Sequence, residues 1–243
     1  MSETGTAFAS TYAQARANFI EAAGAAGVAV QSHVHPLKGR DGETLAMDVT
    51  FEGAADAPRL LIISSGCHGV EGHCGSGVQV DALHDPAWRH YAQAHGVAVL
   101  YIHALNPHGF SHTRRTTPEN VDLNRNFQDF SGPLPVNAAY RELHALLLPN
   151  EWPPTQANGA ALEHYIASHG MPAYQAAVSG GQHEFPDGLF FGGTAPCWSN
   201  LMLRQHARAA AQVERCRRCA PNTGCTSTRM RLRNWPGRSG SRC

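Results

Sequence analysis

The chain has 243 residues, 42% of them hydrophobic and 16% charged, and its 19 basic and 19 acidic side chains cancel to a formal charge of zero. This length and apolar share support one sizeable core and fit one domain better than two. No run approaches the roughly 18 apolar residues of a membrane span, and the Ala-rich start with Glu3, Arg16 and Glu21 reads as an amphipathic helix, not a signal peptide, so a cytoplasmic location is the default expectation.

In chain order, hydrophobic periodicity predicts a helix over about Phe8 to Ala23, strands near Val28 to His33, Leu45 to Phe51 and Leu60 to Ser64, and a helix from about Ser76 to Leu83. A helix Trp88 to Ala94, a strand Val97 to Ala104 and helices Val136 to Leu148, Gln156 to His169 and Asn200 to Arg215 follow, with a further short helix between Pro172 and Gly180. Strands separated by helices imply an α/β fold with a mixed, mainly parallel sheet covered on both faces. The run Leu60-Leu-Ile-Ile63 reads as a buried strand. Cys67, Cys74 and Cys197 are an odd, widely spaced set and are expected to be free thiols.

Two strand-end segments carry chemistry. His68-Gly-Val-Glu71 sets an imidazole and a carboxylate three residues apart just after the Leu60 strand, and both groups suit zinc. Gly-punctuated sequence at a strand end is where open α/β folds keep their ligand crevices. Downstream lie Asn106-Pro-His-Gly-Phe110, Arg114-Arg115 and Asp122-Leu-Asn-Arg-Asn-Phe127. Arg115 and Arg125, with Asn124 beside the second, offer forked donors for a substrate carboxylate or a polarised carbonyl. The plainer alternative makes these Asn and Asp residues turn formers and the arginines solvated.

In their order, these motifs resemble the zinc metallocarboxypeptidase superfamily, which includes aspartoacylase-like deacylases. A bacterial branch recorded as a domain of unknown function is the nearer resemblance. It is carried by Ser65-Gly-Cys-His-Gly-Val-Glu-Gly-His-Cys-Gly-Ser-Gly77, by Asn120-Val-Asp-Leu-Asn-Arg-Asn-Phe127, and by Gly180 to Gly193 followed by Trp198-Ser-Asn200. The similarity spans roughly residues 10 to 210. It implies that His68 and Glu71 are two of three protein ligands to a catalytic zinc, that Arg115 assists the polarised carbonyl, and that Asn124 and Arg125 bind the substrate carboxylate. The implied chemistry is metal-assisted hydrolysis of an amide or peptide bond, with a small-molecule or peptide substrate bearing a free carboxylate.

The resemblance also implies a third zinc ligand, a histidine on a later strand, and beyond it a glutamate as general base. This chain has no histidine after His206 and no acidic residue after Glu214. Residues 1–214 hold 11 Lys/Arg against 19 Asp/Glu, a net of −8, whereas residues 215–243 hold eight arginines and no acid. The expectation is therefore a partial catalytic domain over 1–214, and an Arg/Cys-rich tail, 215–243, of out-of-frame or truncated origin. His183 and His206 are the downstream alternatives for a third ligand.

Other readings of the same residues exist. Cys216-x-x-Cys219 with Cys225 has half of a zinc-knuckle spacing, but the fourth ligand would be the distant Cys243. The arginine-rich tail lacks lysine and any base-reading fold, so no nucleic-acid partner is expected. A cysteine hydrolase using Cys67 or Cys74 with His68 or His73 lacks a nucleophile elbow. An acyl-amino-acid deacylase and a non-catalytic carboxylate-binding protein remain alternatives to a carboxypeptidase.

Overall fold

The computed structural model describes residues 7–205. A single mixed sheet organises them: β1 (Val30–Lys38), β2 (Thr44–Glu52), β3 (Arg59–Ser64) and β4 (Val97–His103), in the order β1-β2-β4-β3. The α/β class and the mixed sheet are as expected. Among the described residues, however, β3 and β4 form the only parallel pair, while β1–β2 and β2–β4 are antiparallel. The short β1–β2 connection forces an antiparallel hairpin, and a crossover through helices permits the parallel β3–β4 pair.

β4 is buried on both faces. Val99 and Tyr101 point into a layer made by α1 (Tyr12–Ala25), α2 (Gly72–His84) and α3 (Pro86–Ala94), with Phe19, Ala22, Val80, Leu83 and Ala92 at its centre. Leu100 and Ile102 point the other way, against Met47, Val49, Leu105 and Leu123, under a helical stretch at 198–205 that supplies Trp198, Met202 and Leu203. This alternation accounts for the near-continuous apolar sequence of β4. α1 is further tied to β2 by Tyr12, whose hydroxyl donates to Ala46 O at 3.0 Å and accepts from Ala46 N at 2.8 Å. The buried carboxylate of Asp48 pairs with Arg16 at 2.7 Å.

The expectation that β3 is buried is overturned. Leu60, Leu61 and Ile62 are 43%, 38% and 53% exposed, because β3 is the edge strand of the described sheet and only β4 borders it. A continuous aliphatic run has the sequence signature of an interior strand, but its position in the sheet decides burial.

The segment between β4 and residue 198 contains two short helices, α4 (Pro107–Ser111) and α5 (Leu123–Asn126), and then α6 (Ala138–Leu147), α7 (Gln156–His169) and α8 (Met171–Ser179), which pack on one another. No helix among the described residues is long and apolar enough to cross a membrane. Cys67, Cys74 and Cys197 are free. The 215–243 segment, His206 and the end of the expected Asn200 to Arg215 helix lie outside the described residues.

Candidate metal and carboxylate site

The loop after β3 is stitched to the loop after β4. Ser65 N donates to Ile102 O, Leu105 N to Ser65 O and Asn106 N to Gly66 O at 2.8–3.1 Å, so both loops leave the sheet at the C-terminal ends of its parallel pair. Gly66 adopts φ +62°, and a Cβ there would press on Ala104 Cβ at 2.8 Å, so the turn toward His68 requires glycine. Gly69, between His68 and Glu71, lies flat against the 109–114 backbone: its N–H donates to Arg114 O at 3.1 Å, and an added Cβ would collide with Gly109 O.

These constraints bring His68 and Glu71 together. His68 Nδ1 lies 3.1 Å from each carboxylate oxygen of Glu71, while His68 is buried and the Glu71 side chain is 66% exposed. An imidazole nitrogen and two carboxylate oxygens converging in this way need a positive centre between them, either the ring proton or a metal cation. On this observation the pair fits as two donors to zinc.

The other ring nitrogen, Nε2, faces Asp122 Oδ1 at 3.4 Å and Asn124 Nδ2 at 3.2 Å. Asp122 is fully buried and was not among the residues expected to matter. It caps α5 by accepting from Asn124 N at 2.9 Å, and its second oxygen accepts from Arg115 Nε at 2.9 Å. Burial alone would raise its carboxyl, but the Arg115 hydrogen bond and charge, the Asn124 amide and His68 hold it below the usual range. Its only sequence signal was membership of the Asp122-Leu-Asn-Arg-Asn-Phe127 motif already singled out.

Arg115 therefore joins the same cluster through Asp122, and its guanidinium also lies over the Phe190 ring at 5.1 Å. Asn124 joins through His68. Arg125 is not turned to bulk solvent: Nη2 donates to Ser179 O at 2.6 Å, Nη1 to Asn124 O at 3.4 Å, and Nε is buried without a partner. The neighbouring asparagines of the motif are structural. Asn120 Nδ2 donates to Pro186 O and Gly188 O, and Asn126 bonds Gly192 O, Ala195 O and Cys197 N, so both pin the 186–197 loop.

Among the described residues no group of three or more His, Cys, Asp or Glu side chains is placed to hold a metal. His183 is not brought to His68; its Nδ1 faces Gly193 O at 2.7 Å and its ring packs on Gly192. His73 likewise faces Ala9 O and stacks edge-on against Phe110. Cys67 sits beside Asn124, and burial, with the nearby Asp122 and Glu71 charges, pushes its thiol up to about 11. A thiol of that acidity is protonated at neutral pH and a poor nucleophile.

The open mixed sheet thus carries a His/Glu pair and an arginine-backed aspartate at its strand ends, the position at which open α/β sheets form ligand crevices. The chain belongs to the family described as "Protein of unknown function (DUF2817)", whose model matches residues 8–232. No curated protein matches it. Similar solved structures include carboxypeptidase A from Helicoverpa armigera (18% identity over 49% of this chain and 33% of that one, TM-score 0.34). An aspartoacylase family protein from Mesorhizobium loti is 27% identical over 41% of this chain and 30% of that one, with TM-score 0.27. Porphyromonas gingivalis glutaminyl cyclase is 19% identical over 44% of this chain and 42% of that one, with TM-score 0.28. The chain thus spans less than half the length of each of these structures, and at such TM-scores they carry no functional argument. The residues of the site do.

Proposed function

We propose that this chain carries the first part of a zinc-dependent hydrolase site for amide or peptide bonds, of the metallocarboxypeptidase type. The single observation that supports it most is the convergence of His68 Nδ1 on both oxygens of Glu71, with the opposite ring nitrogen backed by buried Asp122. His68 and Glu71 would hold the metal, and when bound, zinc supplies Lewis-acid polarisation of water and of the scissile carbonyl. Asp122 orients the His68 ring and fixes Arg115, whose remaining guanidinium donors are left to assist a carbonyl oxygen as charge develops on it. Asn124 and Arg125 receive the carboxylate of a small-molecule or peptide substrate.

A carboxypeptidase and an acyl-amino-acid deacylase share this arrangement. A second reading, a carboxylate-binding protein without turnover, is favoured by the two-donor count among the described residues. Assays of the purified 243-residue chain with added zinc, on peptides with free C-termini and on N-acyl-amino acids, separate the three. Turnover abolished by a chelator and by His68→Ala supports the hydrolase, and the preferred panel names the substrate class. Carboxylate binding without turnover supports the second reading, and neither binding nor turnover overturns both.

A further inference from the structure

β3 breaks the rule by which soluble proteins protect sheet edges. Leu60, Leu61 and Ile62 are all substantially exposed on a strand that, among the described residues, is bordered only by β4. Edge strands are normally blunted by charge, proline or a bulge. Here the one charged residue, Arg59, stands at the end of the strand with its guanidinium bonded to His95 O at 2.9 Å.

The backbone of that edge is also ready to pair. Arg59 N and Ser65 N both donate toward β4, at 3.3 and 3.1 Å, and strand alternation then turns the N–H and C=O groups of Leu60, Ile62 and Ser64 to the open side. We propose that this edge is a self-association surface, on which β3 of a second copy pairs antiparallel about a two-fold axis at Ile62. The strand is self-complementary in this register. Ile62 faces its own copy, Leu60 faces Ser64, and on the other side of the sheet Leu61 faces Ile63. No like charges meet, and every aliphatic side chain along the strand gains a cover. Residues 206–243 are a poorer occupant, since their apolar residues are scattered among arginines and include no aliphatic strand. An interface built on one added strand is small, so the association is concentration-dependent and not obligate.

Sedimentation of the full chain over a roughly hundred-fold concentration range, with hydrogen exchange followed at Leu60, Ile62 and Ser64, tests this. The expected result is a discrete rise toward twice the chain mass, with these amides becoming protected in step. Ile62→Lys puts two ammonium groups on the dyad and should raise the dissociation constant roughly a hundred-fold or more. Its half-exposed site leaves the monomer fold intact, which circular dichroism checks. A chain that stays monomeric with exchanging β3 amides overturns the proposal. So do amides protected in the monomer, which would mean that the chain covers its own edge, association that does not stop at two copies, and association unchanged by Ile62→Lys.

Discussion

Asp122 stands behind His68: its Oδ1 lies 3.4 Å from Nε2, opposite the ring nitrogen that meets Glu71, while its Oδ2 accepts from Arg115. In the proposed site the aspartate would thus fix a metal donor and a substrate-facing cation at once. Asp122→Asn keeps the volume and the cap but weakens both grips, so zinc affinity should fall by about 10–100-fold, the range for a residue that orients a ligand. Competition with a colorimetric zinc chelator measures it. An unchanged affinity would remove the positioning role.

Zinc itself should be held weakly by the chain as it stands. Two protein donors leave half of a four-coordinate shell to solvent. Metal analysis after mild dialysis should find well under one zinc per chain, and His68→Ala should abolish what remains. A full equivalent retained through dialysis would show that a residue outside the described set, such as His206 or a cysteine beyond it, completes the site.

Gly69→Ala should damage the site without touching a donor. The new methyl would strike Gly109 O, and the backbone carrying His68 and Glu71 would have to lift from the 109–114 segment. Overpacking of this kind costs about 1–3 kcal/mol, readable as a lower urea midpoint. Loss of zinc binding should accompany it.

Tyr12→Phe is the corresponding test of the scaffold. The change removes one hydroxyl that serves both the N–H and the C=O of Ala46 in a buried setting. Leaving such groups without a partner costs about 1–3 kcal/mol. Phenylalanine keeps the ring that packs on Phe110, and the lost hydroxyl bonds Ala46 and not His68 or Glu71, so the zinc affinity expected of that pair should be unchanged.

Acid should destabilise the fold through His103. Burial holds this fully enclosed imidazole at about 4, below its ordinary value of 6.5, with Nε2 bonded to Ser76 Oγ at 2.8 Å. A depressed folded-state value means that the unfolded chain binds the extra proton first. The contribution is complete above about 6.5 and is lost as pH falls toward about 4, with a slope near 1.4 kcal/mol per pH unit for one proton. Urea midpoints taken between those limits should be flatter in a His103→Gln variant.

Much of this architecture was legible from periodicity. α7 runs over Gln156–His169 as the pattern predicts, and β2 and β4 fall within a residue of their apolar runs. α1 begins at Tyr12, not Phe8, because Thr11 Oγ accepts from Gln14 N and sets the cap. The short α4 and α5 went unseen since their capping residues, Asn106 and Asp122, are also common turn formers, and four or five residues give no stripe. His68 and Glu71 were visible as a spacing. The role of Asp122 was not, because it depends on a contact across 54 positions that no local pattern encodes.

The clamp around the site closes over still longer spans. Asp122 N donates to Phe191 O, Asn126 Nδ2 to Gly192 O and Asn200 Nδ2 to Asn126 O, joining residues 66 to 74 positions apart. Contacts of such high sequence separation form late and slowly. During synthesis, His68 and Glu71 emerge well before the strip around residue 191 that braces Asp122. Folding therefore leaves an interval in which the sheet can be assembled while His68 and Glu71 lack the support of Asp122, and chaperones would act on the chain in that interval.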